Sequence, residues 1–169
     1  MTYIAIRDAI YAQIDAEYEL ARAVQELWMR KVAERELSRK KDASRRDEST
    51  NYEFRLEFNG ASFNCRWIRV QFVKRGTKTI RVTKSIAIPK DGKYKISQFK
   101  YANEWESNII SQMEEALWPI RNSTKHLMKA MINVRYGAKS SGITLDSIAI
   151  SDRVSPTTQS IQAYKRRLS

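Results

Sequence analysis

Apolar side chains recur every three or four positions over residues 3–37, and no Gly or Pro interrupts them. Ile6, Ile10, Ile14, Ala21, Val24 and Trp28 form one stripe, widened by Tyr11, Tyr18, Leu20 and Leu27, which predicts a long amphipathic helix. Asp15, Glu17 and Glu19 precede Arg30, Lys31 and Arg35, the order that the helix dipole favours. A helix of this length exceeds what a small sheet can cover, so its stripe must meet another helix, either in this chain or in a second copy. Residues 38–50 are charged, lack an apolar anchor and read as a fraying helix end or linker.

From Tyr52 the period changes to two. Tyr52, Phe54, Leu56 and Phe58 point one way, and Glu53, Arg55 and Glu57 the other. Asn59-Gly60 marks a hairpin. In residues 63–73 the alternation puts Ile68, Val70 and Phe72 inward and Trp67, Arg69 and Gln71 outward. Phe63 and Cys65 fall out of phase with that reading, which predicts a bulge near Arg66. After the turn Lys74-Arg75-Gly76-Thr77, a third strand directs Ile80, Val82, Ile86 and Ile88 inward and Thr79, Arg81, Thr83 and Ser85 outward, up to Pro89-Lys90-Asp91-Gly92. Helical spacing returns with Ala102, Trp105, Ile109, Met113, Ala116, Ile120, Leu127 and Met131. The expected N-cap is Ser97, with a kink or break at Pro119 and an end at Gly137. A short apolar run over residues 143–150 and a final helix opening near Pro156 complete the reading. The fold class is therefore α+β: a long N-terminal helix, a three-stranded antiparallel sheet, a long second helix and a tail helix, with the long helices expected to form a coiled coil. Residues 1–50 make the helix and linker, 51–136 the sheet with its packing helix, and 137–169 the tail.

Charge changes the picture. Residues 1–50 carry ten basic and ten acidic side chains and cancel. Residues 52–96 hold eleven Lys and Arg against Glu53, Glu57 and Asp91, which accounts for eight of the twelve net positive charges. A cationic sheet beside near-neutral helices is a surface for a polyanion, with double-stranded DNA as the leading candidate. The single cysteine, Cys65, excludes an internal disulfide framework and fits a reducing compartment. The N-terminal residues do not read as a secretory signal and no long apolar span reads as a membrane helix, so the cytoplasm is the expected location.

Catalytic chemistry is sparse. One histidine, His126, and one cysteine cannot build the usual zinc sites, and no nucleophile-elbow pattern surrounds a serine. A DNA-cleaving tyrosine among the eight present would still need a histidine cluster for its metal. Gly137-Ala138-Lys139-Ser140 lacks the upstream glycine and the Gly-Lys adjacency of a phosphate loop. Adjacent Glu114 and Glu115 read as a solvated helix face. No enzyme activity, metal or cofactor is expected. The expected DNA-reading residues are Arg55, Trp67, Arg69, Gln71, Arg81 and Thr83 on the outward sheet face, with Lys74, Arg75, Lys78, Lys90, Lys93 and Lys95 around it. Arg66 and Lys84 do not fit, because alternation places both inward.

The basic sheet followed by a packing helix resembles the AP2-like DNA-binding domain, through Trp67-Ile68-Arg69-Val70, Lys74-Arg75-Gly76 and Ala102-Asn103-Glu104-Trp105-Glu106. In that family the outer sheet face enters the major groove. A broader resemblance, over roughly Leu27 to Arg135, is to the MobI family of conjugative transfer proteins. It rests on Trp67, Lys74-Arg75-Gly76, Ser85-Ile86-Ala87-Ile88-Pro89-Lys90, Gly92-Lys93-Tyr94, Phe99, Ala102, Glu104-Trp105-Glu106 and Ile120-Arg121. This resemblance implies a non-enzymatic relaxosome accessory factor that recognises the origin of transfer and assists a separate relaxase. Pairing of the long helices in a coiled coil would make it a homodimer, and no membrane partner is expected. Two alternatives stay open: a mobile-element transcription regulator or recombination accessory factor on double-stranded DNA, and a coiled-coil interaction protein without a specific DNA site.

Overall fold

The computed structural model describes residues 2–46 and 48–169. Helix α1 spans Tyr3–Lys41, capped by Thr2, whose hydroxyl accepts from the Ala5 amide at 3.1 Å. Strands β1 (Tyr52–Asn59), β2 (Ser62–Arg75) and β3 (Lys78–Ser85) form one antiparallel sheet in the order β1-β2-β3. Helix α2 spans Glu104–Ser140 and α3 spans Ile161–Leu168. The α+β class and element order agree with the sequence reading.

Three helix boundaries move. Ser97 lies in a short 3-10 turn (Ile96–Gln98); α2 starts seven residues later, where the Asn103 side chain accepts from the Glu106 amide at 2.9 Å. The helix continues unbroken through Pro119 and Gly137. It stops where Gly142 takes φ +75° and the Ile143 amide returns to the Ala138 carbonyl at 2.8 Å, a left-handed closure that suits glycine. The tail helix opens at Ser160 rather than Pro156, its hydroxyl accepting from the Ala163 amide at 3.0 Å.

The α1 stripe is met by this chain's own α2, sheet and tail. Tyr11, Ile14, Tyr18, Ala21, Trp28 and Val32 are buried against β1, β2 and α2, whereas Leu20 and Leu27, expected to widen the stripe, lie exposed on the opposite side. Ala116 is likewise exposed on α2.

At the centre sits Trp67, fully buried, edge-on to Trp28 at 6.1 Å and to Phe99 at 5.9 Å, and tilted on Phe54 at 5.3 Å. This overturns its outward placement. The β1–β2 register pairs Phe58 with Phe63, Leu56 with Cys65 and Phe54 with Trp67. Directly opposed residues share a face, so Phe63, Cys65 and Trp67 form the inner row of β2. The ladder is continuous and carries no bulge at Arg66.

Two buried carboxylates tie α2 to the sheet. Glu106 accepts from the Asn51 and Tyr52 amides at 2.8 and 3.0 Å and fixes the start of β1, although burial still raises its pKa above the ordinary carboxylate value. Glu114, expected on a solvated face, is 2% exposed and forms a bidentate pair with Arg121 at 2.8 and 2.9 Å. It also accepts from the Tyr94 amide at 2.8 Å and from the Trp67 indole at 3.4 Å. Arg121 donates onward to the Cys65 and Gly92 carbonyls, each at 2.9 Å. Glu115, its neighbour, is exposed as expected.

The tail returns over α1. Arg153 lies 4.2 Å above the Tyr11 ring, pairs with Asp15 at 2.9 Å and donates to the Ala61 carbonyl at 2.8 Å. These contacts hold the fully buried Ile150 beside the β1–β2 turn.

Candidate nucleic-acid interface

The sheet is two hairpins that share one long strand. β1 pairs with β2 only as far as Tyr52 opposite Arg69, while β3 pairs with β2 from Ile68 to Arg75. Beyond Arg69, β2 and β3 therefore continue as a two-stranded ribbon with no third strand, six residues or ~20 Å long on the β2 side. β3 is exposed along its whole length. The ribbon closes at Gly76-Thr77, where Gly76 at φ +63° takes the first central position of the turn.

Residues 70–85 contain Lys74, Arg75, Lys78, Arg81 and Lys84 and no acid. The register sorts them. Lys74, Phe72 and Val70 share a face with Thr79, Arg81 and Thr83; Gln71, Val73 and Arg75 share the other with Val82, Ile80 and Lys78. Arg69 and Lys84 sit opposite one another at the ribbon's base, where Arg69 stacks 3.5 Å from the centre of the exposed Tyr101 ring. Lys84, Lys100 and Gln98 join them around a groove of about 410 Å³.

The expected reading set is thus divided. Gln71, Lys74, Arg75, Lys78, Arg81 and Thr83 are gathered on the exposed ribbon. Arg69 stands at its base. Arg55 lies back on the helix-supported part of the sheet, 3.3 Å from Glu53, which also pairs with Arg81. Trp67 is in the core and has no access to a ligand surface. Lys93 is turned to α2, 2.6 Å from Glu115, and Lys90 borders a cleft with Asn59, Asn64 and Lys125 at the opposite end of the sheet from the ribbon tip. Lys95 is exposed beside the same α2 surface as Lys93. These three lysines do not surround the ribbon.

The misfits resolve with the register. Arg66 is on the outer face opposite Arg55, donating to the Ser85 hydroxyl at 3.0 Å, and Lys84 has inward parity on a ribbon that has no interior. Sequence reading missed Phe72, placing it inward; it is 67% exposed. Tyr101 and Lys100 were missed as well, since they lie outside the strands.

Among the described residues no three His, Cys, Asp or Glu side chains come together as a metal site. His126 is exposed on α2, and burial pushes the Cys65 thiol up to about 12. Among the described residues no helix is long and apolar enough to cross a membrane.

The structure thus defines an α+β protein that holds a bare cationic β-ribbon away from a helix-backed core. A family model described as MobI protein matches residues 18–135, and the chain belongs to the MobI family. Membership assigns it an accessory role in conjugative mobilisation. No curated protein and no solved structure matches the chain.

Proposed function

We propose that this chain is a non-enzymatic DNA-binding factor that recognises the origin of transfer and assists a separate relaxase in assembling the relaxosome. The observation that carries the reading is the ribbon: five basic side chains, all exposed, and no acid over residues 70–85, in a protein of a mobilisation family. A two-stranded ribbon fits a DNA groove, and its lysines and arginines neutralise the flanking phosphates. Origin DNA is expected to be shifted in gels at lower protein concentration than scrambled DNA at physiological salt, with footprints at the origin. Equal affinity for both duplexes counts against origin recognition, and protection confined to a promoter or attachment site favours the regulator alternative.

Dimerisation belongs to the same proposal, on a different face from the one the sequence pattern indicates. The inner stripe of α1 is consumed inside the chain. Its outer face presents Ala9, Ala12, Ala16, Leu20, Ala23 and Leu27, all exposed, with Leu20 at 58% and Leu27 at 52%. An antiparallel copy would bring Leu20 and Leu27 of one chain against the small residues of the other. Two ribbons would then address two half-sites. Sedimentation is expected to show a dimer that becomes a monomer on Leu20→Glu with Leu27→Glu. A wild-type monomer at micromolar concentration removes this part of the reading.

A further inference from the structure

We infer that Phe72 is a wedge that enters the base stack and bends the duplex when the ribbon binds, an inference that rests on the DNA-binding reading above. Of the five phenylalanines, Phe54, Phe63 and Phe99 are buried and Phe58 is half-buried; Phe72 alone is exposed. It stands near the middle of the ribbon. Its cross-strand partner is Arg81, its neighbours on the same face are Val70 and Lys74, and Lys74 faces Thr79 across the ribbon. An aromatic ring left in water forfeits roughly 2 kcal/mol of burial, so its exposure beside Val70 on the face that carries Lys74 and Arg81 asks for an apolar partner.

The charges around it restrict that partner. With five bases and no acid over residues 70–85, the ribbon repels a second copy of itself. A base-pair step offers a flat apolar surface between two rows of phosphates, which matches a ring flanked by Arg81 and Lys74. Apolar side chains inserted at such steps from the minor groove unstack them and bend the helix by roughly 20–90°. The cross-strand register fixes the face of the ribbon that carries the ring, between Lys74 and Arg81.

The test is energy transfer between dyes on the two ends of an origin duplex. Wild-type protein is expected to shorten the end-to-end distance. Phe72→Ala is expected to bind with affinity reduced about tenfold or less and leave the duplex straight. Phe72→Leu, which keeps an apolar wedge, is expected to restore the bend. If Phe72→Ala bends the bound duplex as the wild type does, the wedge is wrong and the DNA-binding reading stands. Absence of any duplex binding by the wild type defeats both together. Unchanged DNA bending accompanied by loss of self-association would assign Phe72 to a protein contact instead.

Discussion

Arg121→Ala is expected to lower the stability of the fold by about 3–5 kcal/mol, because it leaves a carboxylate buried without its partner. Glu114 would keep the Tyr94 amide and the Trp67 indole but lose both guanidinium bonds, and the Cys65 and Gly92 carbonyls would lose their donor. The network joins α2, the inner row of β2 and the loop at Gly92, so no single element can relax to admit water without disturbing the others. Guanidinium denaturation is expected to show a lower midpoint with an unchanged slope. The pair Glu114→Leu with Arg121→Met removes the charge instead of stranding it and should recover much of the loss. A loss below about 1 kcal/mol in the single variant would show that water reaches Glu114.

Neutralising Lys74, Arg75, Lys78 and Arg81 together by alanine is the converse case, with little effect on folding and a large one on DNA. All four are exposed, and the single ion pair involved, Arg81 with Glu53, lies at the surface where such pairs contribute at most about 1 kcal/mol. If each base meets one phosphate, the dependence of log affinity on log salt should flatten by about 3–4 units. Lys93→Ala serves as the comparison: its ammonium is held by Glu115 beside α2, so duplex affinity should not change. Retention of full affinity by the fourfold variant would move the interface off the ribbon. A fall in unfolding midpoint comparable to that of Arg121→Ala would mean that the ribbon supports the core, contrary to its exposure.

The element order, the glycine turns, the inner face of β1 and the MobI resemblance were legible in the sequence. The parity of β2 was misread because that strand carries apolar residues on both alternations, Phe63-Cys65-Trp67 and then Ile68-Val70-Phe72. A phase switch of that kind imitates a bulge. Hairpin arithmetic resolves it: a turn that opposes Asn59 to Ser62 sets Phe54 against Trp67 and fixes the inner row. Glu114 was similarly legible, since Met113, Leu117, Ile120 and Arg121 bury the same side of α2, and seven residues separate the acid from its arginine. What local pattern could not supply is where β1 stops relative to β3. That offset creates the bare ribbon and separates Lys90, Lys93 and Lys95 from it. Several of the residues behind the family resemblance, Trp67, Tyr94, Phe99, Glu106, Ile120 and Arg121, are buried groups that hold the fold.

Because β2 serves both hairpins, it acts as a cantilever. Its first half is clamped by the aromatic cluster around Trp67, and its second half is loaded only at the tip. Force applied there would enter the protein through the junction at Ile68 and Arg69, along the strand that Arg121 holds from α2, and through the Arg81–Glu53 pair to β1. A ribbon so built is coupled to the helices through a strand already anchored in the core.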